Sequence, residues 1–180
     1  MGLRSIKEIF VIGHGPSSSH TMGPFFACQY ILKKYKDKGI NKIEVTLFGS
    51  LAMTGKGHLT DDIIDLAFSK VPHQVIFDKK TKKKHPNTMN FKIYVDNKTY
   101  SENVVSIGGG SIVTKDNIKY LVKEEIYPHQ YMNDIKAYCD KNNISFYDYV
   151  IMHEDKDIHD YFKNVLKVMD EAVERGIKAE

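Results

Sequence analysis

The stretch "MNFKIYVDNKTYSENVVSI" (Met89–Ile107) decides what kind of fold this chain can take. Met89, Phe91, Ile93 and Val95 alternate with polar residues, which is the period of a strand with one buried face. "DNK" supplies a turn, and "TYSENVVSI" returns as the partner strand of a hairpin. Working outward, "KIEVTLFG" (Lys42–Gly49) alternates Ile43, Val45 and Leu47 in the same way, and "HQVIFD" (His73–Asp78) reads as a further strand. Between them, "TDDIIDLAF" (Thr60–Phe68) reads as a helix. Thr60 is its expected N-cap, and Asp61 and Asp62 fall in a first turn where the helix dipole favours negative charge. "TMGPFFACQYILKKYKDKG" (Thr21–Gly39) reads as another helix, with Phe26, Tyr30, Ile31 and Tyr35 at helical spacing. Pro24 is tolerable only in its first turn, and Gly39 supplies a stop. Upstream, "IKEIFVIG" (Ile6–Gly13) is apolar with a β-branched bias and reads as strand-like.

From about Tyr131 the pattern turns wholly helical. "YMNDIKAYCDKNN" and "SFYDYVIMHE" are short helices. "DIHDYFKNVLKVMDEAVERG" (Asp157–Gly176) is the strongest in the chain, with Ile158, Phe162, Val165, Leu166, Met169 and Val173 on one face and Gly176 as the expected stop. The reading is therefore an α+β domain over residues 1–125, a mixed β-sheet packed with helices, followed by a small helical tail over 126–180.

Composition sets limits on function. The chain has 180 residues, of which 42% are hydrophobic, enough for a core. A net charge of +3 is too mild to imply nucleic acid. The one basic cluster, "KKTKKKH" (Lys79–His85), has no interleaved aromatics or arginines to stack on bases or read them, and is a solvated loop. No apolar run reaches the length of a membrane span, and the apolar part of "MGLRSIKEIFVIG" is short for a secretory signal. Cys28 and Cys139 are far apart, show no C-x-x-C spacing, and suit a reducing cytosol.

Three segments gather the chemistry: "GHGPSSSHTMGP" (Gly13–Pro24), "GSLAMTGKGHLTD" (Gly49–Asp61) and "SIGGGS" (Ser106–Ser111). Each follows a strand-like run. In the first, Ser17, Ser18, Ser19 and Thr21 place hydroxyls at a helix entrance, where free N–H groups and the dipole favour a carboxylate or phosphate. His20 among them can donate a hydrogen bond or move a proton near neutral pH. In the second, Lys56 and His58 stand between glycines, and His58 has the pKa range of a general base. This segment misses the phosphate-binding P-loop, because five residues separate Gly49 from Gly55-Lys56 and Gly57 replaces the hydroxyl. A dinucleotide fingerprint at "IFVIGHG" fails as well, with Ser18 where the third glycine belongs. "IGGGS" is either an anion-binding backbone nest or a strand crossing. Tyr127, in "YPHQY", is a further donor or a packing aromatic.

In that order, "GPSSSHTMGP", "GSLAMTGKGHLTD" and "SIGGGSIV" resemble the β domain of the iron–sulfur-dependent L-serine dehydratases. "AYCDKNNISFYDYVIMHE" and "VMDEAVERGIKAE" resemble the segment that leads toward the catalytic α domain of the single-chain enzymes. The resemblance implies β-elimination from L-serine to pyruvate and ammonia. A [4Fe–4S] cluster would assist the leaving hydroxyl, without pyridoxal phosphate. It also implies that Ser17, Ser18, Ser19, His20 and Thr21 hold substrate and that His58 is the proton-abstracting base, with His20 the second candidate. Lys56, Thr60, Asp61 and Tyr127 would support them. Cys28 and Cys139 do not match the cluster ligands, so a catalytic α domain or α chain is the expected partner, with self-association into a homo-oligomer. The same fold resembles the allosteric substrate-binding domain of some phosphoglycerate dehydrogenases. That leaves open a regulatory module for serine or another small anion.

Overall fold

The computed structural model describes residues 3–114, 119–120 and 125–179. Along the chain the elements are β1 (Leu3–Arg4), α1 (Met22–Lys34), β2 (Lys42–Phe48), α2 (Gly49–Thr54), α3 (Thr60–Ala67), β3 (His73–Asp78), β4 (Thr88–Val95), β5 (Lys98–Gly108), β6 (Ser111–Thr114), β7 (Lys119–Tyr120), β8 (Glu125–Tyr127), α4 (Met132–Asn142), α5 (Phe146–His153) and α6 (Ile158–Lys178). They form two compact units: Gly13–Val122, and Met1–Ile12 together with Lys123–Glu180.

The larger unit is α+β, as its hairpin implies. Its six-stranded sheet has the order β3-β2-β4-β5-β6-β7. β2 and β3 are parallel, joined through α2 and α3, and every other pairing is antiparallel. The register carries the core in rows. Val45 lies opposite Phe91 and Phe91 opposite Glu102, while Leu47 lies opposite Met89 and Met89 opposite Val104. Ile43, Val45, Leu47, Met89, Phe91, Ile93 and Val104 are fully buried, each worth about 1.5–3 kcal/mol on leaving water. α1 packs on this face beside α3, adding Ala27, Cys28 and Ile31. The opposite face carries Glu44, Thr46, Asn90, Lys92 and Asn103, half-buried or exposed, so helices cover one side of the sheet only. The one carboxylate in the core row, Glu102, accepts from Tyr35 Oη at 2.7 Å and pairs with Lys34 Nζ at 2.6 Å, which satisfies its charge.

The smaller unit departs from the sequence reading. Residues 1–12 were expected with the first domain, but β1 pairs with β8 and this segment belongs with the tail. "IKEIFVIG" is no strand: Ile6–Glu8 form a 3-10 turn and Ile9–Ile12 are exposed and irregular. A buried carboxylate holds the segment instead. Glu154 accepts from Ser5 Oγ at 2.6 Å, from the Ile6 N–H at 2.8 Å and from Tyr127 Oη at 2.5 Å. Three donors on one carboxylate outweigh the β propensity of four apolar residues with nothing to pair against. α6 also runs through Gly176 to Lys178, since an exposed glycine mid-helix costs only about 1 kcal/mol.

One backbone corner in the larger unit tolerates no side chain. At the β2–α2 junction Gly49 has φ +54°, and a Cβ there would stand 2.5 Å from the Pro86 carbonyl oxygen. Gly49→Ala is expected to destabilise the larger unit by more than about 2 kcal/mol. Gly57→Ala, which meets nothing within 4 Å, should stay within about 0.5 kcal/mol. Urea unfolding followed by far-UV circular dichroism compares the two. Glu154→Ala leaves three donors unpaired and should cost the smaller unit about 3 kcal/mol. In that variant the Ile6 amide exchanges fast, while amides of β2 and β4 keep their protection.

Candidate active site

Two of the chemistry-bearing loops meet. The first leaves Gly13, crosses a cis Gly15–Pro16 bond and folds Ser17–Thr21 into a tight turn before α1. The His20 and Thr21 N–H groups both donate to the Ser17 carbonyl at 2.9 Å, and the Gly23 N–H donates to that of Ser18. These three backbone donors are engaged within the turn and are not among the free N–H groups expected for a ligand. Thr21 is turned inward: it is buried, and its hydroxyl contacts the carbonyls of His14 and Ser17. It fastens the loop rather than facing a ligand.

The second loop begins at the Gly49 corner. The Ser50 N–H donates to the Pro86 carbonyl, and α2 starts without a linker. Ser50 and Thr54 stand one helical turn apart and present their hydroxyls to His20 Nε2 at 3.1 and 3.2 Å. On the other side of the ring, Nδ1 lies 3.3 Å from Ser17 Oγ and 3.2 Å from Ser19 Oγ. Thr54 gives its own proton to the Ser50 carbonyl at 2.9 Å, so toward His20 it can only accept. His20 Nε2 then carries the hydrogen and Nδ1 accepts from the serines. Ser50 and Thr54 were not singled out in the sequence. The signal was present, because Thr54 lies four residues before His58.

His58 lies beside this ring, with centroids 4.7 Å apart and planes tilted by 34°. Its Nδ1 is 2.9 Å from the Thr54 carbonyl oxygen, which can only accept. In the neutral imidazole Nδ1 therefore holds the proton, and Nε2 keeps its lone pair. His58 is half-buried, while His20 is 8% exposed. Burial, and next the neighbouring His58, lower the His20 pKa below its ordinary value.

The remaining expected residues divide. Ser18 is exposed on the first loop, and Asp61 is half-buried in the first turn of α3. Thr60 is fully buried, and its hydroxyl donates to the His20 carbonyl at 2.8 Å. It ties the two loops together and is not the expected cap; Leu59, at φ +59°, precedes the helix instead. Lys56 is exposed, with Nζ 5.7 Å from the Phe77 ring centroid. Gly108–Gly110 all take positive φ and form the β5–β6 hairpin tip, where Gly110 stands against Met22 and Phe26. A cavity of about 610 Å³ is lined by His14, Phe25, Leu32, Leu66 and Lys70 among others, and includes neither His20 nor His58.

The serine dehydratase beta chain family matches residues 5–70 and 63–117. This chain belongs to that family. L-serine dehydratase 1 of Escherichia coli (strain K12) is 27% identical over 225 residues, which take in 98% of this chain and 50% of the relative. The L-serine dehydratase of Helicobacter pylori is 27% identical over 194 residues, 83% of this chain and 43% of the relative. That of Mycobacterium tuberculosis is 45% identical over 60 residues, 31% of this chain and 13% of the relative. This chain thus spans about half the length of the curated relatives it matches.

The two thiols of this chain do not suit an iron–sulfur cluster. Cys28 is sealed in the core of the larger unit, and burial pushes its thiol pKa well up, whereas a ligand must be a thiolate. Cys139 is buried in the smaller unit with Sγ 3.9 Å from the Ser145 carbonyl. Among the described residues no group of three or more His, Cys, Asp and Glu side chains is placed to hold a metal ion. Tyr127 also lies in the smaller unit, 6% exposed, with its hydroxyl committed to Glu154, and burial followed by that contact raises its pKa. Among the described residues no helix is long and apolar enough to cross a membrane.

The lowered pKa of His20 has a definite sign. Folding favours the neutral ring, so this contribution to stability is present above the ordinary 6.5 and is lost as pH falls through the lower folded value. An NMR titration should place the His20 midpoint below 6.5. His58→Gln should raise that midpoint only part of the way back, because burial is the larger cause.

Proposed function

We propose that this chain is the portion of an iron–sulfur L-serine dehydratase that holds the substrate and removes its α-proton, completed by a catalytic part outside it. The observation that carries this reading is the imidazole pair. His58 is held through Nδ1 so that Nε2 is a free base, beside a second imidazole fixed by four hydroxyls. In the reaction proposed, the α C–H of L-serine gives its proton to His58 Nε2, and the Cβ–O bond breaks as the Cα–Cβ double bond forms. The products of that step are 2-aminoacrylate, hydroxide and protonated His58, and transfer of the His58 proton to the hydroxide then gives water and restores the neutral ring. Tautomerisation to the imine and hydrolysis then give pyruvate and ammonia.

Of the first-loop hydroxyls, that of the exposed Ser18 suits the substrate carboxylate, while Ser17 and Ser19 hold the His20 ring. A hydroxide is a poor leaving group and needs an electrophile. A [4Fe–4S] cluster would supply that Lewis acidity, and since the thiols of this chain do not suit it, its ligands belong to the remaining half. The family membership and the half-length match to L-serine dehydratases support this division. The contacts support His58 as the base: its half-exposed ring is held only through Nδ1, whereas both nitrogens of His20 are engaged by hydroxyls.

The test is His58→Ala in the complete enzyme, assembled with the remaining half. Turnover of L-serine should fall by about 100- to 10,000-fold with serine binding retained. Normal turnover with altered activation kinetics would move this chain to the regulatory class of serine-binding module.

A further inference from the structure

The last three turns of α6 carry an apolar stripe that nothing in the described chain covers. Leu166, Met169, Val173 and Ile177 follow one another at helical spacing on one face, and they are 60%, 54%, 61% and 79% exposed. The helix is buried only at its start, through Ile158 and Val165. From Met169 onward every described residue is exposed. An isolated helical end of this length is marginal in water, and helices are held mainly by packing an apolar face. Phe162, half-buried against Phe10 with ring centroids 5.6 Å apart, continues the stripe onto the N-terminal segment. Phe10 is itself 47% exposed.

The smaller unit is short of core in the same sense. Its buried cluster is Tyr127, Cys139 and Tyr149, against nineteen buried residues in the larger unit. Most of the exposed large apolar side chains among the described residues fall in this smaller unit. A contiguous apolar face of this kind marks an interaction surface.

We propose that the α6 stripe, with Phe10 and Phe162, is the seat of the remaining half of the dehydratase, which completes the smaller unit's core by laying an apolar helical surface along it. The inference rests on the reading above that this chain is about half of such an enzyme, and on length. The relatives run to about twice the matched segment, and the uncovered stripe occupies the last helix of this chain.

The experiment titrates the full chain with the separately produced remaining half from the same genome, read by sedimentation and by deuterium exchange. A one-to-one complex is expected, with exchange slowed across Leu166–Lys178. The pair Leu166→Glu and Val173→Glu should weaken association by about 100-fold or more, with an unchanged far-UV spectrum and an unchanged His20 titration. Exchange on α6 unaffected by the partner overturns the proposal, as does undiminished binding by the charged variant or the lack of any such half in the genome. A dimer of this chain alone that the charged variant dissociates also overturns it, and assigns the stripe to a second copy. A complex that protects α6 yet turns over no serine leaves this surface standing and removes the dehydratase reading instead.

Discussion

The reactive side of the larger unit depends on one backbone corner, Gly49 pressed against the Pro86 carbonyl. β2 must end its buried row at Leu47 and Phe48, and the chain must turn at once so that α2 stands over the end of the sheet. A residue with a Cβ would drive that corner outward. Because the corner holds, Ser50 and Thr54 reach one edge of His20, and the next turn returns His58 to the Thr54 carbonyl. Thr60 then closes the circuit on the His20 backbone. A single steric constraint thus sets the geometry of two imidazoles whose positions in the sequence are far apart.

The contacts around His20 are individually modest, 3.1–3.3 Å and mostly hydroxyl to ring nitrogen. Their effect is selective rather than strong. They satisfy a neutral buried ring on both nitrogens, and the neighbouring imidazole discourages a second proton. Burial and that neighbour together hold the His20 pKa below its ordinary value. Among the described residues neither ring has a carboxylate partner.

The smaller unit is organised on different physics. Its apolar cluster is slight, and polar contacts do more of the work: Glu154 gathers three donors, Lys7 pairs with Asp155 and Asp157, and Tyr161 donates to the carbonyls of Lys7 and Phe10. Such a clasp orders the first residues of the chain against its last helices. It leaves apolar surface to spare on α6, the opposite of the larger unit, where the register of four strands seals nearly every large apolar side chain of the core rows.

The sequence by itself determined the elements and the class of fold. Alternation at Ile43–Leu47 and Met89–Val95 can bury one face only as strands, and the Gly-rich segments that follow strand-like runs stood out as sites for chemistry, although Gly49–Thr54 folds as the helix α2. It also determined which residue types were available for chemistry. It could not separate the hydroxyls that face a ligand from those that fasten the loop. Thr21 and Thr60 look like Ser17 and Ser19 in one dimension, and their inward orientation follows from carbonyls contributed by His14 and His20. Nor could it set the N-terminal segment, where β-branched composition favours a strand but a strand needs a partner edge, and Glu154 offers a carboxylate instead. Tertiary structure decided those matters because each depends on an acceptor far away in sequence, and local propensity carries no information about where that acceptor will be.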